Sequence, residues 1–210
     1  MNFLAHCALA ADAAEYWQCD SQARCGLLAG AVIGDFIKGP IPSHWPLELR
    51  AGARLHRKID ALSATHPEIG AYCREFPATL RRYAPIFVDL LADHSLATHW
   101  SDFYDEALPA FSAECYAAIN HYQEWLSPAG QELLAYMQRV DLLANYDDWN
   151  HVRRGLHSVL RRLRNPPASA IAEETMQALT PPGHAYFNRY YPTLQSHWQS
   201  WNAFAVLNEG

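Results

Sequence analysis

Acidic and imidazole side chains interrupt several stretches of the chain that otherwise consist of apolar residues. His56 and Asp60 are four residues apart, as are Asp89 and Asp93, and residues four apart share one face of a helix. An ionised group in a dry interior costs many kcal/mol unless it is paired, hydrogen-bonded or bound to a metal. The pattern predicts helices that deliver oxygen and nitrogen ligands to a divalent cation.

Three more ligand-type side chains lie in apolar surroundings, at His6, Asp35 and His94. Imidazoles and carboxylates without a thiolate favour Mn²⁺, Mg²⁺, Fe or Zn²⁺ over a structural zinc–cysteine site. The alternative interpretation is a set of buried Asp–His or Asp–Arg pairs that only fix the packing.

Composition and charge place the chain among folded globular proteins. Its 210 residues are 50% hydrophobic and 18% charged, and the net charge of −6 gives no case for nucleic-acid binding. The five cysteines are an odd number without C-x-x-C spacing, so they predict neither a disulfide framework nor a zinc–thiolate site. Free cysteines of this kind are typical of a reducing cytosol. No Lys or Arg precedes Arg24, so we expect no signal peptide, and no apolar run is long enough for a membrane span. We therefore expect a soluble, cytoplasmic protein.

Apolar periodicity predicts helices throughout and no strand alternation. The predicted helices cover residues 2–14, 24–38, 46–65, 85–100, 109–126, 128–146, 148–164, 168–179 and 184–204, with another from Pro67 that weakens near Pro77. Asn2 is a candidate N-cap of the first helix, and the central helix after Pro85 is apolar nearly all round. The fold class expected is all-α, with residues 1–210 forming one helical-bundle domain.

Four motifs resemble the acyl carrier protein phosphodiesterase family, also called acyl carrier protein hydrolase. They are Met1–His6 (MNFLAH), Gly34–Gly39 (GDFIKG), Leu55–Leu62 (LHRKIDAL) and Asp93–Trp100 (DHSLATHW). The motifs occur in the family's order, and the resemblance is specific over about residues 1–100. It weakens afterwards.

The resemblance implies removal of the 4′-phosphopantetheine arm from the serine of holo-acyl carrier protein. It also implies a divalent metal, with Mn²⁺ favoured and Mg²⁺ or Fe²⁺ as alternatives, and an all-helical fold related to the HD-domain phosphohydrolases. The adjacent pair here is Asp93–His94, in the reverse order of the His-Asp pair that gives the HD fold its name. The roles of these two residues therefore cannot be copied from ordinary HD enzymes.

Phosphodiester cleavage with a metal needs ligands, a base and a group that holds the phosphate. We predict that the metal ligands are a subset of three imidazoles and two carboxylates, namely His6, His56, His94, Asp35 and Asp93. Asp60 and Asp89 are predicted as catalytic groups: further ligands, bases or partners of the ligands. Arg57 is predicted to hold the phosphate, because a guanidinium binds it bidentately; its alternative is a salt bridge to a ligand carboxylate.

The partner implied by the resemblance, holo-acyl carrier protein, is acidic, so this acidic chain must concentrate its cations locally. Arg50, Arg54 and Lys58 lie close in sequence to the proposed site and are predicted to bind the carrier. A second run, between residues 153 and 164, holds five of the chain's 16 basic residues and is the other candidate. The simpler interpretation of either run is a solvated helix face.

Three other functions remain open at this point. The metal site could act on a nucleotide or another small phosphoester. A di-iron redox protein would also place histidines and carboxylates in a helical bundle, but paired Glu-x-x-His motifs are absent from the sequence. A helical adaptor that binds the carrier without catalysis would need no metal. The sequence leaves the oligomeric state open.

Overall fold

The computed structural model describes residues 2–205, which contain α-helices, short 3-10 turns and no strand. The all-α prediction is confirmed. The helices, in chain order, are α1 (Phe3–Tyr16), α2 (Ser21–Ile33), α3 (Leu47–Thr65), α4 (Pro67–Glu75), α5 (Ala84–Thr98), α6 (Leu108–His121), α7 (Pro128–Arg139), α8 (Trp149–Arg162) and α9 (Ser169–Gln195). None of the helices in this part of the chain combines the length and apolarity that a membrane crossing requires.

Two helices, α1 and α5, run through the core. Both are apolar nearly all round, as the sequence predicts for the helix after Pro85, and most of their side chains are buried. Asn2 precedes α1 at the predicted N-cap position, but its side-chain amide donates to the Tyr146 hydroxyl (2.8 Å) and makes no cap hydrogen bond. Met1, the first residue of the MNFLAH motif, lies outside the described residues.

Glycines let α2 and α3 touch through their backbones. A Cβ atom on Gly30 would lie 2.5 Å from the Cα atom of Gly52, and one on Gly34 would lie 2.7 Å from the ring of His56. Only residues without a side chain permit this approach. The contact holds α3 against α2 and places His56, one of the predicted site residues, in the interior.

The last long helix is continuous where the sequence suggests two. α9 passes through Pro181 and Pro182, which interrupt its backbone hydrogen bonds, between the predicted segments 168–179 and 184–204. The Tyr72 hydroxyl donates to the Leu179 carbonyl (2.9 Å) within this turn, and Gly183 leaves room for the Tyr72 ring. Packing on α4 therefore holds together a helix that local propensity would divide.

Several other boundaries differ from those predicted. The helices α2, α6 and α9 end at Ile33, His121 and Gln195, short of the predicted residues 38, 126 and 204. α2 begins at Ser21 because the Asp20 side chain accepts from the Ala23 N–H (2.8 Å). α7 ends at Arg139, and irregular turns replace the predicted helix up to residue 146; Asp141, with φ of 43°, lies in them.

α8 packs antiparallel to α5. The Trp149 ring, at the start of α8, lies 5.5 Å from the His94 ring near the end of α5. Gly155 faces Leu90, and just beyond the other end of α8 the Asn165 carbonyl accepts from Arg82 (3.2 Å) before α5 begins. This arrangement leaves a cleft between α8 and α3, with α5 as its floor.

Candidate metal site in the α3–α8 cleft

The cleft has a volume of about 980 Å³, which is in the range of small-molecule sites. α3 and α8 form its long walls, and the start of α1 and residues of α5 and α7 complete it. Its polar lining contains three carboxylates, four imidazoles and three guanidinium groups: Asp35, Asp60, Asp89, His6, His56, His151, His157, Arg154, Arg161 and Arg162.

Three predicted residues, His6, His56 and Asp60, converge on the α3 side of the cleft. The Nε2 atom of His6 lies 3.1 Å from one carboxylate oxygen of Asp60, and the Nε2 atom of His56 lies 3.2 Å from the other. The two imidazole rings stack with their centroids 4.2 Å apart. One ligand atom from each residue lies within 4.8 Å of the other two.

A hydrogen bond to the backbone sets the tautomer of His56. Its Nδ1 atom lies 2.8 Å from the Ala31 carbonyl oxygen, which can only accept, so Nδ1 carries a proton. In the neutral ring, Nε2 then directs its lone pair at the Asp60 carboxylate. Two acceptors at 3.2 Å repel each other unless a proton or a cation lies between them.

His6 is buried, and its ring also needs a partner such as a proton or a cation. His6 is 2% exposed, and neither of its ring nitrogens has a hydrogen bond with acceptable geometry within residues 2–205. Burial lowers the pKa of His6 to about 3, in spite of the nearby Asp60, so the ring is neutral and available as a ligand. Unsatisfied buried nitrogens of this kind are uncommon and mark a missing partner.

Asp60 supplies the negative charge. Its side chain is 52% exposed toward the cleft. Partial burial raises the pKa of Asp60, but the contacts of the carboxylate with His56 and His6 outweigh burial and hold the pKa well below its ordinary value. Two imidazoles and one carboxylate match the ligand preferences of Zn²⁺, Fe²⁺ and Mn²⁺, so this group could hold a divalent cation.

Asp35 and Asp89, two more of the predicted site residues, line the same cleft. Asp35 lies in the 3-10 turn Gly34–Phe36 that follows α2, and Asp89 lies in the first half of α5. The structure therefore brings both carboxylates to the cavity that contains the three convergent residues.

Asp93 and His94 have other partners in the structure. The fully buried Asp93 carboxylate accepts from the backbone N–H groups of Leu4 (2.8 Å) and Ala5 (3.0 Å), at the start of α1. Burial raises the pKa of Asp93 to about 7, although these two hydrogen bonds lower it. His94 Nδ1 donates to the Tyr146 carbonyl (2.8 Å). Neither side chain joins the group of His6, His56 and Asp60, and their predicted role as ligands stays a prediction.

The predicted basic residues lie on a different face of α3 from His56 and Asp60. A separate groove of about 500 Å³ is lined by Arg50, Arg54, Arg57, Lys58, Pro40, Ile41, Ala61 and Trp201. The Arg57 guanidinium donates to the Gly39 carbonyl, and Lys58 lies 5.8 Å from the centre of the Trp201 ring. Arg57 is therefore bound to the backbone of the neighbouring loop rather than turned into the α3–α8 cleft.

Sequence reasoning did not connect α8 with the site. Arg154, Arg161 and Arg162 line the cleft opposite α3, whereas the sequence shows them only as members of a basic run. The sequence could have indicated this through helical spacing, because the arginines lie on the side of α8 opposite the apolar Val152, Leu156 and Leu160, which are buried.

Comparison with known protein families and with curated relatives gives the same family name in each case. The profile of the acyl carrier protein phosphodiesterase family matches residues 1–194. A relative from Photorhabdus laumondii named acyl carrier protein phosphodiesterase is 32% identical over 82% of this chain and 81% of its own length. A relative of the same name from Yersinia pestis is 30% identical over 92% of this chain and 95% of its own length. No solved structure matches the chain significantly.

Proposed function

Because this chain belongs to the acyl carrier protein phosphodiesterase family, we propose that it hydrolyses holo-acyl carrier protein to the apo-carrier and 4′-phosphopantetheine. We further propose that the reaction uses a divalent cation, with Mn²⁺ favoured as the sequence resemblance implies. The observation that supports a metal-dependent reaction is the convergence of His6, His56 and Asp60 in the cleft, with both His6 nitrogens lacking a hydrogen bond among the described residues. The cytoplasmic location predicted from the cysteine pattern is part of this proposal.

His6, His56 and Asp60 would hold the cation, and the Ala31 carbonyl keeps His56 in the ligand tautomer. When bound, such a cation polarises the phosphoryl oxygens and lowers the pKa of water toward neutrality. Asp35 and Asp89 line the cleft and are the proposed further ligand and general base.

The proposed reaction is a hydrolysis without redox change. A water oxygen forms a bond to phosphorus while the bond between phosphorus and the serine oxygen breaks. The Asp89 carboxylate would take a proton from the attacking water. The serine oxygen would take a proton from solvent water as it leaves, and Asp89 would return its own proton to solvent, so that one water is consumed in total. The products are the serine hydroxyl of the apo-carrier and the phosphomonoester of the released arm.

Incubation of purified holo-acyl carrier protein with the enzyme and Mn²⁺ tests the proposal. Intact-mass spectrometry should show the carrier losing its arm, exhaustive chelation should stop the loss, and added Mn²⁺ should restore it. Turnover of a generic phosphodiester should be much slower, because it lacks the carrier. An unchanged carrier mass with metal-loaded enzyme would remove the proposed activity.

The groove beside Arg50, Arg54 and Lys58 is the proposed docking surface for the acidic carrier. Four basic side chains gather there, and the buried Nε atom of Arg54 has no hydrogen-bond partner among residues 2–205. Such a cluster attracts carboxylates at long range and speeds association. The groove and the site lie on different faces of α3, so the 4′-phosphopantetheine arm of a carrier docked in the groove would reach round this helix into the cleft.

Arg50→Glu and Arg54→Glu should each raise KM for holo-acyl carrier protein several-fold at low salt, with little change in kcat. The difference from wild type should shrink at high ionic strength, because salt screens exposed charges. Arg74→Glu reverses the same charge on the exposed surface of α4 and is the matched control. Equal KM values for all three variants and wild type would place carrier docking elsewhere.

A further inference from the structure

One face of α8 presents a row of cationic and polar side chains to the cleft. The cleft-lining residues of the row are His151, Arg154, Ser158, Arg161 and Arg162. From His151 to Arg161 the members are three or four residues apart, which keeps them on one side of a helix, and the buried Val152, Leu156 and Leu160 occupy the other side. Arg162 lies about 100° further round the helix axis and also lines the cleft. The row therefore extends from the first turn of α8 to its last turn, along the wall of the cleft.

The guanidinium groups of Arg161 and Arg162 have no charged partner among the residues that the structure describes. Arg161 and Arg162 form no hydrogen bond or ion pair with any residue between 2 and 205, and both are exposed. Arg154 has a weak electrostatic interaction with the Asp148 carboxylate. The pKa of Asp148 is lowered mainly by hydrogen bonds that Asn150 donates to it, and to a smaller extent by the charge of Arg154.

The two sides of the cleft have opposite charge. Asp35, Asp60 and Asp89 lie toward α3 and α5, on the side that could hold a cation, and the arginines lie on α8. Carboxylates alone would repel a phosphate from this cavity. A phosphate in the cleft would meet the cation on one side and guanidinium groups on the other, and Arg binds phosphate oxygens bidentately.

We propose that Arg161 and Arg162, assisted by Arg154, bind the phosphate of the 4′-phosphopantetheine arm, before cleavage and in the released product. This inference rests on the proposed function and assigns to α8 the task that the sequence analysis gave to Arg57. Arg57 lies in the other groove and binds the Gly39 carbonyl. The carrier's own acidic residues stay on its surface, whereas the phosphate has to enter the cleft to reach Asp60.

The apolar end of the cleft fits the remainder of the arm. Phe36, Leu133, Tyr136, Leu142 and Tyr146 line the end formed by α7 and the turns after it. These residues lie near the start of α8, while Arg161 and Arg162 lie near its end. The amide-linked part of the arm would then contact these apolar side chains, while its phosphate lies in the cleft between Asp60 and the arginines of α8.

Calorimetric titration with free 4′-phosphopantetheine, and with pantetheine as the unphosphorylated probe, tests the assignment. The double variant Arg161→Ala/Arg162→Ala should weaken phosphopantetheine binding at least tenfold and leave pantetheine binding unchanged. Arg153→Ala is the matched control, because Arg153 lies on the same helix, binds Asn150 (2.9 Å) and does not line the cleft. Circular dichroism should show equal helicity in all variants, since the replaced side chains are exposed.

Equal phosphopantetheine affinity in wild type and the double variant would overturn the inference, as would no binding by wild type. A double variant with unchanged phosphopantetheine affinity and a salt-sensitive rise in KM for the holo-carrier would show that α8 docks the carrier instead. The proposed function is tested separately by release of the arm from the holo-carrier. If wild type binds the arm but does not hydrolyse the holo-carrier, the proposed activity is rejected and the binding site stands. If wild type hydrolyses the holo-carrier but the double variant binds the arm as tightly as wild type does, the activity stands and the binding site is rejected.

Discussion

Asp60→Ala is expected to lower kcat/KM for holo-acyl carrier protein by about 10³-fold or more, a loss of about 4 kcal/mol of transition-state stabilisation. Asp60 is the carboxylate of the convergent group, and its oxygens lie 3.1 and 3.2 Å from the two imidazoles. Without it, the two histidines and the proposed further ligand Asp35 are left to hold the cation, and one of the negative charges that retain a divalent ion is lost. The fold should survive, since the side chain is 52% exposed.

Metal content and stability give readouts of this variant that are independent of turnover. Wild type at a Mn²⁺ concentration of about 100 times its Kd should gain about 2.7 kcal/mol of unfolding free energy, and Asp60→Ala should lose this gain. Asp105→Ala, which removes an exposed carboxylate from the loop before α6, should bind metal and turn over as wild type does. Wild-type metal content together with wild-type turnover in Asp60→Ala would contradict the proposed site.

The sequence predicts the α3 part of the site because the information is local. His56 and Asp60 are four apart on one helix, and the structure places them in direct contact. His6 is recognisable as an imidazole in an apolar helix, but its contact with Asp60 joins residues 54 positions apart and depends on the glycine contact between α2 and α3. Helical period predicts which face a residue occupies, and tertiary packing decides what that face meets.

The same distinction explains what the sequence does not predict. Asp89 and Asp93 share a face by spacing, yet Asp89 lines the cleft while Asp93 binds the start of α1, 88 and 89 positions away. The arginines of α8 are visible as a basic amphipathic run, but only the antiparallel packing of α8 on α5 turns them toward the cleft. Arg57 is adjacent to a site residue in sequence and still belongs to another groove, because neighbouring helix positions diverge by about 100°.

Asp93→Ala is expected to lower the unfolding free energy by about 3 kcal/mol or more, because it would leave two buried N–H groups without acceptors at about 1–3 kcal/mol each. Both carboxylate oxygens of Asp93 accept from the start of α1, where N–H groups have no partner inside the helix. α1 carries His6, so a displaced α1 should also weaken the metal site. Asp93→Asn, which keeps one acceptor oxygen, should lose less stability than the alanine variant.

Unfolding in the presence of a chelator separates this role of Asp93 from that of a metal ligand. If Asp93 holds the start of α1, Asp93→Ala is destabilised in chelator as well as with Mn²⁺, and the deficit is larger with Mn²⁺ because the displaced α1 weakens the metal site. If Asp93 binds the cation, the variant matches wild type in chelator and differs only when metal is added. Asp60→Ala is the matched comparison and should show the second pattern. Chelated Asp93→Ala that unfolds with wild-type stability would refute the positioning role, because the two N–H groups of Leu4 and Ala5 lose their acceptor whether or not a metal is present.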